Sequence, residues 1–142
     1  MESLALLLVE DSHWDVALVK EALKQTAVPV SLTVVADGEA ALAYLRKEGP
    51  YTQSPTPDLL LLDLHMPRRD GRAVLAALRS DPALHLLPVV IFTSSAQEHD
   101  IRDSYGLCAN LYIQKPLDLT AYLERIRALV DFWAKHVSSL PR

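Results

Sequence analysis

The segment Leu59-Leu-Leu-Leu-Asp63 is the clearest indication of the fold, because four consecutive apolar residues are followed directly by a carboxylate. Residues 4–9 and 89–92 are equally continuous apolar runs, without the alternation of a strand that faces water on one side. Such runs are typical of strands buried on both faces, as in a parallel sheet covered by helices. We therefore expect these three runs to form the centre of a parallel sheet.

The remaining pattern predicts two edge strands and five helices. Residues 31–35 alternate and residues 110–114 are short, as expected of edge strands, and apolar residues at helical spacing predict helices over 15–26, 39–46, 71–80, 97–105 and 119–137. The fourth helix is weakly patterned, since only Ile101 and Tyr105 form an apolar stripe. Strand and helix alternate five times, which predicts an α/β doubly wound sheet.

Length and composition limit the classes of protein. The 142 residues fit one domain spanning 1–142, and 50% apolar residues predict a packed core. Eighteen acidic against fourteen basic side chains give a net charge of −4, which argues against DNA or an anionic membrane as a partner. No run reaches the roughly 18 apolar residues that span a bilayer. We expect a soluble protein of the cytoplasm.

Polar residues follow four of the five predicted strands. Ligands of open α/β sheets bind outside the carboxyl ends of the strands, near the point where the strand order reverses. We therefore predict that the residues at these ends converge on one site: Glu10, Asp11, Asp63, Thr93 and Lys115.

These residue types together indicate phosphoryl chemistry. Two carboxylates about 4 Å apart repel by about 4 kcal/mol at an effective dielectric constant of about 20, which a bound cation relieves. Carboxylate oxygens without histidine favour Mg²⁺, which also accepts phosphate oxygens. The hydroxyl of Thr93 and the ammonium of Lys115 are suitable donors for a phosphoryl group. Asp63 is then the predicted nucleophile.

The ordered set of motifs resembles the receiver domain of two-component response regulators over nearly the whole chain. The motifs that carry the resemblance are Val9-Glu10-Asp11-Ser12, Leu61-Leu-Asp63-Leu-His65-Met-Pro67 followed by Gly71, then Thr93, Tyr112 and Lys115-Pro116. The resemblance implies a flavodoxin-like fold of five parallel strands in the order 2-1-3-4-5, flanked by five helices. It also implies a cis peptide bond before Pro116.

The resemblance further implies a role for each matching residue. Asp63 would accept a phosphoryl group from a phosphohistidine on a sensor histidine kinase, so the protein would be a phosphoacceptor switch, not an enzyme. Mg²⁺ would be bound by Asp11, Asp63 and the backbone carbonyl of His65, and by Glu10 through water. Thr93 would bond a phosphoryl oxygen and Lys115 would pair with the phosphate. The family's switch aromatic would be Tyr112, although buried packing of this tyrosine is equally compatible with the sequence.

Two segments are similar to single-domain regulators partnered with phytochrome histidine kinases, including bacteriophytochromes. They are residues 11–23 and the C-terminal helix extension and tail, 131–142. Trp133 falls on the apolar stripe of the last helix, whereas Phe132 points about 100° away. A patch of Phe132, Val137 and Leu140 would be an interface with a kinase or in a homodimer, unless the tail folds back. Together with Trp133 these are the interface candidates.

Three other functions share parts of this pattern. A phosphatase with an aspartyl-phosphate intermediate would need a second carboxylate two residues past Asp63, where the chain has His65. A flavodoxin-like FMN protein would need a phosphate loop rich in hydroxyl groups and glycine where the chain has Glu10 and Asp11. A degenerate receiver that no longer accepts phosphate would lack one of the five site residues, and all five are present.

Overall fold

The computed structural model describes residues 3–66, 68–138 and 140, so Pro67 and residues 139, 141 and 142 of the tail lie outside the described residues. Its sheet is parallel, with the order β2-β1-β3-β4-β5. The strands are β1 (Leu4–Val9), β2 (Val30–Val35), β3 (Leu59–Leu62), β4 (Val89–Thr93) and β5 (Leu111–Gln114). The predicted doubly wound fold and its strand order are confirmed.

The described residues form five α-helices and one short 3-10 turn, Gly49–Tyr51. The helices are α1 (His13–Leu23), α2 (Gly38–Leu45), α3 (Gly71–Arg79), α4 (Glu98–Gly106) and α5 (Leu119–His136). Four of these helices are preceded by a residue whose side chain accepts a hydrogen bond from a backbone N–H of the first turn. That N–H has no acceptor within the helix itself. These caps are Ser12, Asp37, Asp70 and Asp118. None of the helices in the described part of the chain is long and apolar enough to cross a membrane.

The core consists of two layers, one on each face of the sheet. Alternate residues of the central strands point to opposite faces. In β3, Leu60 and Leu62 pack with α2 and α3, while Leu59 and Leu61 pack with α1 and α5. Because both faces are covered, β1, β3 and β4 are almost entirely buried, and the edge strands β2 and β5 are only partly so.

The apolar stripe predicted for α4 is wrong. Its buried residues are Asp100 and Ser104, whereas Ile101 is half-buried and Tyr105 is exposed. The polar face can be buried because its groups are paired, although Asp100 Oδ1 has only ion-pair contacts and no hydrogen bond among the described residues. Ser104 donates to the Asp100 carbonyl at 2.7 Å, and the Asp100 carboxylate accepts from Ser95 at 2.6 Å.

The cis bond expected before Pro116 is also wrong, since residues 3–66, 68–138 and 140 contain no cis peptide bond. The trans form is the intrinsically preferred one for a bond to proline, by about 0.5–1 kcal/mol. The extended Lys115 prolongs the β4–β5 pairing, with its N–H 2.7 Å from the Thr93 carbonyl.

The four interface candidates of the last helix and tail differ in their exposure. Trp133 is buried in the core, so it is not available as a surface interface residue, and Val137 is partly buried against the same layer. Phe132 is 58% exposed, and its ring lies 5.1 Å from that of His136. Leu140 lines a cavity with Thr56, Ala83 and Leu87, at the end of the sheet where the strands begin.

Candidate functional site

The strand register brings the predicted site residues to one edge of the sheet. Leu62 pairs with Val9 on one side and with Ile91 on the other. The residues that follow these strands therefore lie side by side, and the Asp63 N–H donates to the Val9 carbonyl at 3.1 Å. Glu10, Asp63, Thr93 and Lys115 are all buried here, in a sheet otherwise filled with apolar side chains.

Three carboxylates form a cluster at this edge. Glu10, Asp11 and Asp63 each offer an oxygen, and the three oxygens lie within 4.8 Å of one another. Glu10 and Asp63 are buried, while Asp11 opens to solvent. Mutually repelling carboxylate oxygens at this spacing fit a hard divalent cation such as Mg²⁺.

Lys115 lies inside this cluster. Its Nζ is 2.6 Å from Glu10 Oε1, 3.3 Å from Asp15 Oδ2 and 3.6 Å from Asp63 Oδ2. Burial alone would lower the pKa of Lys115, but the Glu10 hydrogen bond and the surrounding carboxylates outweigh it and raise the pKa. The lysine therefore keeps its positive charge next to Asp63.

The cluster has an excess of negative charge. Burial raises the pKa of Glu10 to about 7, and the charge of Asp63 adds to this effect, while the hydrogen bond from Lys115 opposes it. The Ser12 N–H also donates to Glu10, at 3.2 Å. The positive charge of one lysine thus offsets only part of the negative charge of these carboxylates. The remaining negative charge favours the binding of a second cation.

Asp15 belongs to this site, although its sequence position predicts only a residue of the first helix. Besides Lys115, it contacts Tyr122, whose hydroxyl donates to Asp15 Oδ1 at 2.6 Å. Burial by itself would raise the pKa of Asp15, but the bond from Tyr122 and the charge of Lys115 lower it overall. The available signal was its position in the first turn of α1, four residues after Asp11.

Thr93 ends β4 and is completely buried. Its hydroxyl oxygen has no hydrogen-bond partner among the described residues. Nearly all buried polar groups in proteins are paired, so an unpaired hydroxyl at the edge of the sheet that holds the carboxylate cluster marks a place where a ligand oxygen can bind.

The loop that follows Thr93 is held by the predicted switch tyrosine. The Tyr112 hydroxyl donates to the Ser95 carbonyl at 2.8 Å, so the ring is already turned toward this loop. Burial raises the pKa of Tyr112, and nearby Asp100 and Asp63 add to the effect. The His65 side chain points outward, 3.6 Å from Asp100, and is not part of the acidic cluster.

This fold and site are those of a receiver domain. The family of the response regulator receiver domain matches residues 6–127, and the chain belongs to that family. Members of this family are phosphoacceptor switches and not classical enzymes.

Individual relatives are similar over almost the full chain. Response regulator Rcp1 of Synechocystis sp. is 41% identical over 133 residues, which are 94% of this chain and 90% of Rcp1. The structure of the phosphorylated cyanobacterial phytochrome response regulator RcpA has a TM-score of 0.93 at 41% identity, covering 98% of this chain and 99% of RcpA. The Mn²⁺-bound form of Rcp1 has a TM-score of 0.92 at 40% identity, covering 97% and 99%.

Proposed function

We propose that this chain is a response regulator that accepts a phosphoryl group on Asp63 from a sensor histidine kinase, in a Mg²⁺-dependent reaction. The observation that carries the proposal is the position of Asp63, which is buried within 4.8 Å of two further carboxylates and 3.6 Å from Lys115. This arrangement combines a nucleophile, a cation site and a fixed positive charge.

In the proposed reaction, an Asp63 carboxylate oxygen attacks the phosphorus of a phosphohistidine. The phosphorus–nitrogen bond breaks, its electron pair stays on the imidazole nitrogen, and that nitrogen takes up a proton. Lys115 offsets negative charge on the transferred group, and the Thr93 hydroxyl, which lacks a partner among residues 3–66, 68–138 and 140, donates to one phosphoryl oxygen.

Mg²⁺ would be held by Asp11, Asp63 and the backbone carbonyl of His65, with Glu10 acting through water. When bound, the ion neutralises charge on the phosphoryl oxygens and aligns them with the nucleophile. The fit rests on the three converging carboxylate oxygens. The Mn²⁺-bound structure of the relative Rcp1 supports a divalent cation in this type of protein.

The kinase is proposed to be of the phytochrome type, acting in the cytoplasm. Support comes from the similarity to Rcp1 and to the phytochrome response regulator RcpA. Large apolar side chains are exposed next to the site: Trp14 on α1, Leu117 two residues before α5, and Leu119 at the first position of α5. Trp14, Leu117 and Leu119 line one groove with Lys115, and we propose this groove as the surface that docks the kinase.

The output is proposed to be a changed protein surface. A phosphoryl group on Asp63 favours the conformations that give it the most contacts, including those with Thr93 and the loop after β4. Tyr112 and α4 contact this loop, so the change reaches the surface of α4, β5 and α5. We propose that this surface forms a homodimer, with the exposed Phe132 at its edge, and that phosphorylation signals by changing this dimer.

The test is labelling by the small phosphodonor acetyl phosphate, read as intact mass. We expect the wild type to gain one phosphoryl group. It should stay unlabelled when EDTA is present during the incubation, and the variant Asp63→Asn should stay unlabelled in either case. The matched control is Asp81→Asn, at the far end of α3, which should be labelled normally. A label that persists in Asp63→Asn, or without a divalent cation, would contradict the proposal.

A further inference from the structure

One buried carboxylate has no part in the proposed transfer. Asp100 on α4 is only 2% exposed. The Ser95 hydroxyl donates to its Oδ2 at 2.6 Å, and His65 Nε2 lies 3.6 Å from the same oxygen. Its Oδ1 has Arg72 at 3.5 Å and His99 at 3.3 Å. A buried aspartate is costly unless it is paired, so these contacts must compensate it.

Asp100 is ionised. The Ser95 hydrogen bond is the largest influence that lowers its pKa, and His99, Arg72 and His65 act in the same direction against the effect of burial. The bond from Ser95 therefore has a charged acceptor, and such bonds are roughly twice as strong as neutral ones.

Ser95 is the point at which the loop after β4 is fixed. Its hydroxyl is bound by Asp100 and its carbonyl accepts the Tyr112 hydroxyl at 2.8 Å. Thr93 is two residues earlier, with a buried hydroxyl that no described residue satisfies. Because an unpaired buried hydroxyl is costly, conformations of the loop that give the Thr93 hydroxyl a partner are favoured. Other contacts must therefore hold the loop in its present conformation.

We infer that Asp100 is a positioning residue, which holds Ser95 so that the Thr93 hydroxyl stays free and directed at the phosphoryl site. This inference rests on the proposed phosphorylation of Asp63. Asp100 touches the proposed cation site only at the His65 side chain, and it is not one of the carboxylates of the acidic cluster.

The test is a titration of beryllofluoride, a phosphoryl mimic, in the presence of Mg²⁺, followed by ¹⁹F NMR. Asp100→Asn keeps the size and an acceptor oxygen but removes the charge. We expect it to weaken beryllofluoride binding roughly fivefold and to leave the affinity for Mg²⁺ alone unchanged. In a Thr93→Ala background the same substitution should have no further effect, since the residue on which it acts is gone.

Two variants serve as controls. Asp103→Asn removes a neighbouring carboxylate that pairs with Arg72 at 2.8 Å but not with Ser95, and should bind beryllofluoride like the wild type. Ser95→Ala leaves the Asp100 ion pairs intact, should weaken binding to a similar extent, and replaces Asp100→Asn if that variant does not fold.

The outcomes separate the two proposals. Unchanged beryllofluoride affinity in Asp100→Asn, an equal loss of Mg²⁺ affinity, or an undiminished effect in the Thr93→Ala background would overturn the role of Asp100. Wild-type protein that fails to bind beryllofluoride, or that binds it equally well as Asp63→Asn, would instead overturn the proposed function.

Discussion

The Tyr122 hydroxyl donates a hydrogen bond of 2.6 Å to Asp15, and the other oxygen of that carboxylate lies 3.3 Å from Lys115 Nζ. The bond therefore connects α5 to α1 and to the lysine of the site. The Tyr122 ring also packs edge-on against Phe92, with 5.2 Å between centroids. The phosphoryl site is thus supported from the α1–α5 side as well as by the sheet.

Tyr122→Phe should lower the free energy of unfolding by about 1.5–2 kcal/mol, because it removes a hydrogen bond to a charged group and keeps the ring. Tyr44→Phe is the matched control, since its hydroxyl makes only a 3.4 Å contact with Thr33 Oγ1 and should cost less than about 0.5 kcal/mol. Urea unfolding measures the free energy of unfolding of both variants. Equal losses would show that the Tyr122–Asp15 hydrogen bond stabilises the fold no more than the weak Tyr44–Thr33 contact.

Gly71→Ala should damage both the fold and the site. A Cβ at this position would lie 2.3 Å from the Asp63 carbonyl oxygen and 2.7 Å from Leu64 Cα, so the backbone next to the nucleophile must move. We expect a loss of about 1–3 kcal/mol and slower labelling by acetyl phosphate.

Gly106→Ala is the control for this substitution, because nothing lies within 4 Å of its added Cβ. It should be neutral or stabilising by up to about 1 kcal/mol, since alanine is the better helix former. Normal labelling of Gly71→Ala at wild-type stability would refute the close-packing explanation.

Asp37 should make the fold sensitive to acid. The Ala40 N–H lowers the pKa of Asp37, and two nitrogens of Arg68, which both donate to Asp37 Oδ2 at 2.7 and 3.1 Å, act in the same direction against the effect of burial. Because the folded pKa lies below the unfolded value of about 3.9, the stabilisation is complete above that pH and is lost as the pH falls through the folded pKa.

Asp37→Asn should therefore be less stable than the wild type by up to about 1 kcal/mol at neutral pH, a modest value because Arg68 is largely exposed. Asparagine still caps α2, so the two proteins should differ only through the charge of Asp37. The difference in stability should therefore disappear when the pH falls below both the unfolded and the folded pKa of Asp37. Unfolding followed between pH 7 and about pH 2 checks this. A difference that stays constant with pH would exclude a contribution from the charge.

Trp14→Ala should slow phosphotransfer from a phytochrome histidine kinase about tenfold, because an exposed aromatic residue in a docking groove often contributes much of the binding energy. Trp14 is 68% exposed and lines the groove beside Lys115. Labelling by acetyl phosphate should be unaffected. Leu86→Ala, equally exposed but near the cavity at the opposite end of the sheet, should leave both rates unchanged, and a similar loss there would argue against a specific groove.

The central strands and the acidic cluster could be predicted because they depend on local pattern. Continuous apolar runs identify buried parallel strands, and the carboxyl ends of such strands share an edge, so Glu10, Asp63 and Lys115 could be placed together before any coordinates. The strand order itself came from resemblance to a family, since apolar runs do not specify which strands are neighbours.

The roles of Asp15 and Asp100 could not be predicted in the same way. Each depends on how a helix is rotated about its axis: α1 directs Asp15 at Lys115, and α4 buries Asp100 toward Ser95. A carboxylate that is buried among partners from other elements looks in the sequence like one on a solvated face. For α4, the apolar residues Ile101 and Tyr105 therefore predicted the wrong buried face.

The most direct test of the phosphoacceptor assignment is to locate the phosphoryl group on the chain. Borohydride converts an aspartyl phosphate to homoserine, which peptide mass spectrometry identifies at its position. After incubation with acetyl phosphate and Mg²⁺, we expect homoserine at position 63 and at no other aspartate. Conversion at Asp11, Asp15 or another carboxylate, with Asp63 unchanged, would contradict it.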